Sequence, residues 1–117
     1  MKNQPFFKRF HFALQGIVST WKTEKSFRTQ SIFAGIVIAF LVVYNPKPIW
    51  WAVFLITLGM VLGAELFNTA IEYLSDEYKK EEDPAIKRIK DTAAAAVLMS
   101  AIVAIGVAAA FLVHILK

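Results

Sequence analysis

Glu65, Asn68, Thr69, Glu72 and Asp76 recur at i, i+3, i+4, i+7 and i+11 in the stretch Gly63-Ala64-Glu65-Leu66-Phe67-Asn68-Thr69-Ala70-Ile71-Glu72-Tyr73-Leu74-Ser75-Asp76. On a helix that spacing gathers all five on one face. The stretch continues an apolar run, and ionised groups inside a membrane helix are costly enough that a functional site is their default reading. Glu65 and Glu72 lie two turns apart, about 10 Å along the axis, too far to chelate one ion by themselves. They suit a division of labour instead. A carboxyl taken out of water holds its proton more tightly, as a general base near neutrality must, and Glu65 is the deeper of the two. Glu72, nearer the surface, suits a hard cation such as Mg²⁺ shared with phosphate. Asn68 is placed to orient either carboxylate, and Lys90 to neutralise phosphate oxygens. Phosphoryl transfer needs mainly positioning and charge neutralisation, so these parts suffice for it.

Two rival uses of the same face stay open. One is a small ion- or proton-coupled membrane transporter with Glu65 as its titrating carboxyl. The other is structural, with polar groups joining helices in an oligomer. The transporter leaves the charged stretch after Glu72 without a task, and a stripe of two Glu and one Asp suits helix glue poorly. Soluble kinase signatures are missing: there is no Gly-x-x-x-x-Gly-Lys loop, His-Arg-Asp or Asp-Phe-Gly. His11 and His114 stand apart from other ligand types and are assigned nothing.

The elements that must carry this face are membrane helices. The 117 residues are 57% hydrophobic and only 19% charged, with a mean hydropathy of +0.53. That composition points to an all-α integral membrane protein forming a single domain over residues 1–117. A net charge of +4 fits cytoplasmic anchoring better than nucleic-acid binding, since no basic-aromatic module or zinc-finger spacing accompanies it. The absence of Cys excludes disulfides and thiolate metal sites. No cleaved signal peptide is expected.

Residues 1–25 read as an amphipathic surface helix, with Phe6, Phe7, Phe10, Leu14, Ile17, Val18 and Trp21 at helical spacing and Pro5 near its start. A polar connection, Trp21-Lys22-Thr23-Glu24-Lys25-Ser26-Phe27-Arg28, follows, and by spacing alone Glu24 in it is a surface ion-pair partner. Transmembrane spans are expected at 29–44, 49–72 and 92–116. The first is short, and borrows Phe27 to Ser31 with Arg28 snorkelling toward the headgroups. Asn45-Pro46-Lys47-Pro48 breaks the first span from the second, with Trp50 and Trp51 as an aromatic belt. Gly59 and Gly63 form a Gly-xxx-Gly step that permits close helix approach, and residues 73–91 read as a charged loop in which Pro84 starts a new helical piece. Basic residues concentrate at 1–28 and 73–91, against Lys47 in the first turn and Lys117 at the end. The positive-inside rule therefore puts the N-terminus and the acidic face on the cytoplasmic side, where ATP is.

The segment Glu65 to Glu72, then Asp76, then Lys90-Asp91-Thr92-Ala93-Ala94-Ala95-Ala96-Val97, resembles the signature of the prokaryotic diacylglycerol kinase family, which includes the undecaprenol kinases. Upstream, Glu24-Lys25-Ser26-Phe27-Arg28 resembles the family's Glu-x-x-Phe-(Arg) segment, with Gly16 at the expected distance before it. The resemblance implies a homotrimer with active sites shared between subunits, and transfer of the ATP γ-phosphate to a lipid alcohol at the bacterial inner membrane. That alcohol would be diacylglycerol or undecaprenol. By position, Glu65 matches the family's general base, and Glu24 and Glu72 match the carboxylates that hold Mg²⁺ with the nucleotide phosphates. Asn68 and Asp76 match supporting polar residues, and Lys90 and Asp91 match nucleotide contacts. Glu81, Glu82 and Asp83 fall where the base and sugar of ATP would lie. Glu24 thus gains a role from the resemblance that its spacing did not give. Where some members carry a nucleotide-contacting Arg, this chain has Pro5, leaving Lys8 or Arg9 to supply the charge. The run Thr92 to Ala96 lacks the Ser of some diacylglycerol kinases and is similar in that respect to the undecaprenol kinases.

Overall fold

A computed structural model describes residues 3–78 and 83–117. Among them are four helices: α1 (Phe6–Thr23), α2 (Lys25–Tyr44), α3 (Pro48–Tyr78) and α4 (Pro84–Leu116). The last three are long and apolar enough to cross a membrane. Their residue pairings make α2 and α3, and α3 and α4, antiparallel neighbours. Ser26 meets Glu65 while Leu41 shares a cluster with Phe54, and Asp76 meets Lys90 while Trp50 meets Phe111.

The junctions follow from local chemistry. Glu24 is the one residue between α1 and α2, in extended backbone, and its N–H donates to Thr20 O while its carbonyl accepts from Arg28 N. Arg28 Nη1 folds back to donate to Trp21 O (2.8 Å) and Lys22 O (3.1 Å), satisfying carbonyls that the end of α1 leaves open. The Arg28 side chain, expected to reach toward the headgroups, makes this cap, and the expected polar connection shrinks to one residue. At the other end of α2, Asn45 takes the left-handed conformation that Asn tolerates (φ 54°), and Pro48 opens α3 as a first-turn proline. Asp83 caps α4, accepting from Ala85 N at 2.8 Å, with Pro84 beside it.

The largest difference from the sequence reading concerns 73–91. The helices run on through both ends of that charged segment, to Tyr78 in α3 and from Pro84 in α4. With 31 and 33 residues, α3 and α4 are about 46 and 50 Å long against a hydrocarbon thickness of about 30 Å. The charges therefore ride on helical overhangs. Among the described residues an i, i+4 pair, Lys87–Asp91 (2.7 Å), and a cross-helix pair, Lys90–Asp76, lace them. Glu81 and Glu82 lie outside the described residues.

The core sits at the far end of the bundle, where Leu41, Phe54 and Phe111 are buried and Trp50 and Trp51 pack against them. Phe111 meets Phe54, Trp50, Phe40 and Tyr44 edge-on, with centroids 4.9–6.2 Å apart. Trp50 belongs to this cluster and not simply to a belt facing headgroups. No helix of this chain uses the close approach that the Gly59–Gly63 step permits, since a Cβ at either position meets nothing within 4 Å. Large apolar side chains cover much of the outside, as lipid or neighbouring subunits require.

Leu41 is fully enclosed and Val43 is 85% exposed, two positions apart. Leu41→Ala should lose about 1–3 kcal/mol, chiefly through the cavity, since lipid is as apolar as Leu. Val43→Ala should be close to neutral. Unfolding of the two variants in detergent micelles checks the contrast.

Candidate functional site

The acidic face of α3 is graded in depth. Glu65 is 5% exposed and Thr69 4%, Glu72 is half-buried, and Asp76 is exposed near the helix end. The gradient follows from the overhang, because each turn toward Tyr78 carries the face beyond the start of α2.

Each carboxylate has its own partner. Ser26 Oγ, in the first turn of α2, donates to Glu65 Oε1. Asn68 Nδ2 donates to Glu72 Oε1 at 3.0 Å, the i, i+4 distance on one helix. Tyr73 Oη donates to Glu24 Oε2 at 3.1 Å and lies 2.7 Å from Thr23 Oγ1. Asp76 pairs with Lys90, and Asp91 with Lys87. The structure thus brings Glu65, Asn68 and Glu72 together on α3. Tyr73, next to Glu72 in the chain, brings Glu24 to the same helix. Asp76, Lys90 and Asp91 stand further out on the overhang. Asp83 lies at the start of α4 with Oδ1 engaged as the helix cap.

Ser26, Thr23 and Tyr73 were not singled out in the sequence. Ser26 lay within view in the Glu24-to-Arg28 segment, two residues after an acid. Tyr73 gave no signal, because its partner is 49 residues away and no helical spacing links them.

Apolar crevices flank this face. One, of about 690 Å³, lies between α3 and α4 and is lined by Ala64, Phe67, Asn68, Ile71, Arg88 and Ala93 among others. Another, of about 420 Å³, lies among α1, α2 and α3, between Trp21, Phe27 and Leu66. Both suit hydrocarbon better than a polar solute.

The donor chemistry fits a hard cation. The carboxylates of Glu24 and Glu72 offer oxygens, and Asn68 Oδ1 is buried without a hydrogen-bond partner. Among the described residues no three Asp, Glu, His or Cys gather as a complete metal cage. Mg²⁺ commonly takes one or two carboxylates and completes its shell with water and substrate phosphates, so two acids are a sufficient protein contribution.

Comparison with known proteins agrees with this chemistry. The chain is 34% identical over 98 residues to the undecaprenol kinase of Bacillus subtilis (strain 168), a match covering 84% of this chain and 80% of that protein. The sequence model described as "Prokaryotic diacylglycerol kinase" matches residues 11–112, which take in α2, α3 and nearly all of α4. A buried acid on a membrane helix, hard-oxygen donors beside it and a family match from end to end of the bundle lead to one assignment: the chain belongs to the prokaryotic diacylglycerol kinase family, a family of lipid kinases.

Proposed function

We propose that the protein transfers the γ-phosphoryl group of ATP to the hydroxyl of a membrane lipid alcohol, diacylglycerol or undecaprenol, at the cytoplasmic face of a bacterial inner membrane. The observation that carries the proposal is the buried carboxylate of Glu65, held by Ser26 and flanked by apolar crevices. A lipid entering sideways would bring its hydroxyl to headgroup depth beside Glu65. There Glu65 accepts the hydroxyl proton as the lipid oxygen bonds to the γ-phosphorus. The bond from that phosphorus to the β–γ bridging oxygen breaks, and ADP leaves with the electron pair.

Glu72 and Glu24 would hold Mg²⁺, with Asn68 orienting Glu72. When bound, the ion neutralises phosphate oxygens as charge shifts between them. Lys90 and Asp91, with Asp76 supporting Lys90, would face the nucleotide from the overhang, and Asp83 with Glu81 and Glu82 would lie toward its base and sugar. The name of the Bacillus relative favours undecaprenol as acceptor. Helix α1, with its exposed Phe6, Phe7 and Phe10, would lie in the headgroup layer as an amphipathic surface helix. A homotrimer would cover part of the exposed apolar surface and complete the shared sites.

Purified protein given labelled ATP, Mg²⁺ and either lipid in mixed micelles should label one of the two. Labelling of neither would overturn the proposal. Glu65→Gln should lower turnover about 10²–10⁴-fold without lowering thermal stability, as loss of a general base does. Orientation is tested separately. With no native Cys, a single Cys at Lys47 should react with an impermeant maleimide added outside intact cells. A single Cys at Lys87 should react only after the membrane is opened.

A further inference from the structure

Glu24 is the single extended residue between two helices, a place where a side chain would swing with every change of the α1–α2 angle. Two contacts oppose that swing. The Arg28 cap fixes the backbone of the elbow, and Tyr73 reaches across from α3 to the Glu24 carboxylate itself. We propose that Tyr73 is a positioning residue: its hydroxyl ties the Glu24 carboxylate to α3, the helix that carries Glu72, and so fixes the elbow acid for the cation that Glu24 and Glu72 are proposed to hold.

Proton counting supports the direction of the bond. Tyr73 has one hydroxyl proton and two oxygen neighbours, Glu24 Oε2 and Thr23 Oγ1. Glu24 as a carboxylate can only accept, whereas Thr23 can also donate. An ionised acceptor makes the stronger bond, so the Tyr73 proton goes to Glu24, while the single Thr23 hydroxyl proton has two acceptors in reach, Ser19 O at 3.0 Å and Tyr73 Oη at 2.7 Å. The result is a direct tie from Tyr73 on α3 to the Glu24 elbow, with Thr23 of α1 alongside. A neutral phenol suits this task. It aligns the carboxylate without cancelling its charge, which a Lys or Arg at the same place would do. Because Tyr73 follows Glu72 directly on α3, the helix fixes the spacing between the two residues' backbones.

The inference rests on the proposed use of Glu24 with Mg²⁺ and nucleotide. Tyr73→Phe removes only the hydroxyl. Calorimetric titration of the purified full chain with Mg²⁺ and a non-hydrolysable ATP analogue should show roughly five- to tenfold weaker binding, the scale of one lost hydrogen bond to a charged group in a partly exposed place. In the micelle assay the KM for Mg·ATP should rise to a similar degree, with kcat and the KM for lipid within about twofold, as loss of uniform binding requires. In a Glu24→Gln background the same substitution should add little, because both changes remove one arrangement. Unchanged binding in Tyr73→Phe, or losses that simply add to those of Glu24→Gln, overturn the inference while leaving the kinase reading intact. Wild-type protein that labels no lipid sinks the kinase reading instead, and the calorimetric comparison still judges Tyr73. Thermal unfolding close to wild type in Tyr73→Phe excludes a merely structural origin of the weakened binding.

Discussion

An acid kept out of water on an apolar helix must be given a donor, and that requirement at Glu65 organises the working end of this protein. Leaving such a group buried and unpaired costs several kcal/mol, whereas a hydrogen bond to a charged acceptor returns about 1.5–3 kcal/mol. The donor is Ser26, which sits within reach because α2 begins at Lys25. α2 begins there because α1 ends at Thr23, with one extended residue between. That residue is Glu24. The elbow, the donor to Glu65 and a second acid near α3 are therefore one structural unit, and moving the elbow by even one residue would undo all three.

The two ends of the bundle divide the work. At the far end, Phe111 is boxed by Trp50, Phe54, Phe40 and Tyr44, and the turn at Asn45 closes that end tightly. At the polar end, α3 and α4 outrun the hydrocarbon and carry their charged groups on helical turns. A residue on a helix is held more rigidly than one on a loop, so the overhangs can fix the relative places of Asp76, Lys90 and Asp91 where a solvated connection could not.

How much of this was legible follows from where each signal lives. The stripe from Glu65 to Asp76 lies within one helix, and a period of 3.6 residues exposes it without any tertiary knowledge. The three apolar helices show equally well in hydropathy. Dense charge makes 73–91 resemble a solvated loop, although helix runs into it from both sides. Yet Lys87 and Asp91 stand at i, i+4, a helical cue that the charge density masked. Arg28 reads as a snorkelling base by its chemistry; its cap on the open carbonyls at the end of α1 is visible only once the elbow is known. Glu24 drew meaning from resemblance alone, and its contact with Tyr73 arises from folding, across 49 residues of sequence.

The partners of the acids sort by the charge they leave behind. Asp76 and Asp91, out on the overhang, pair with Lys90 and Lys87, cationic partners that offset their charge. Glu65, Glu72 and Glu24 take bonds from Ser26, Asn68 and Tyr73, all neutral donors. A neutral donor fixes the direction of a carboxylate and leaves its negative charge in place. That is what a site awaiting a cation or a proton must do, because a resident Lys or Arg would compete with either. Under the proposed kinase chemistry the inner acids stay available for Mg²⁺ and for the lipid proton, while the outer pair Lys90–Asp76 ties the two overhangs together and keeps a lysine beside the incoming phosphates. Two acids with neutral partners would also make a weak metal site until phosphates arrive, since two carboxylates are too few ligands to retain the ion by themselves. Metal and nucleotide would then bind together, which ties the charge needed for transfer to the presence of the group to be transferred.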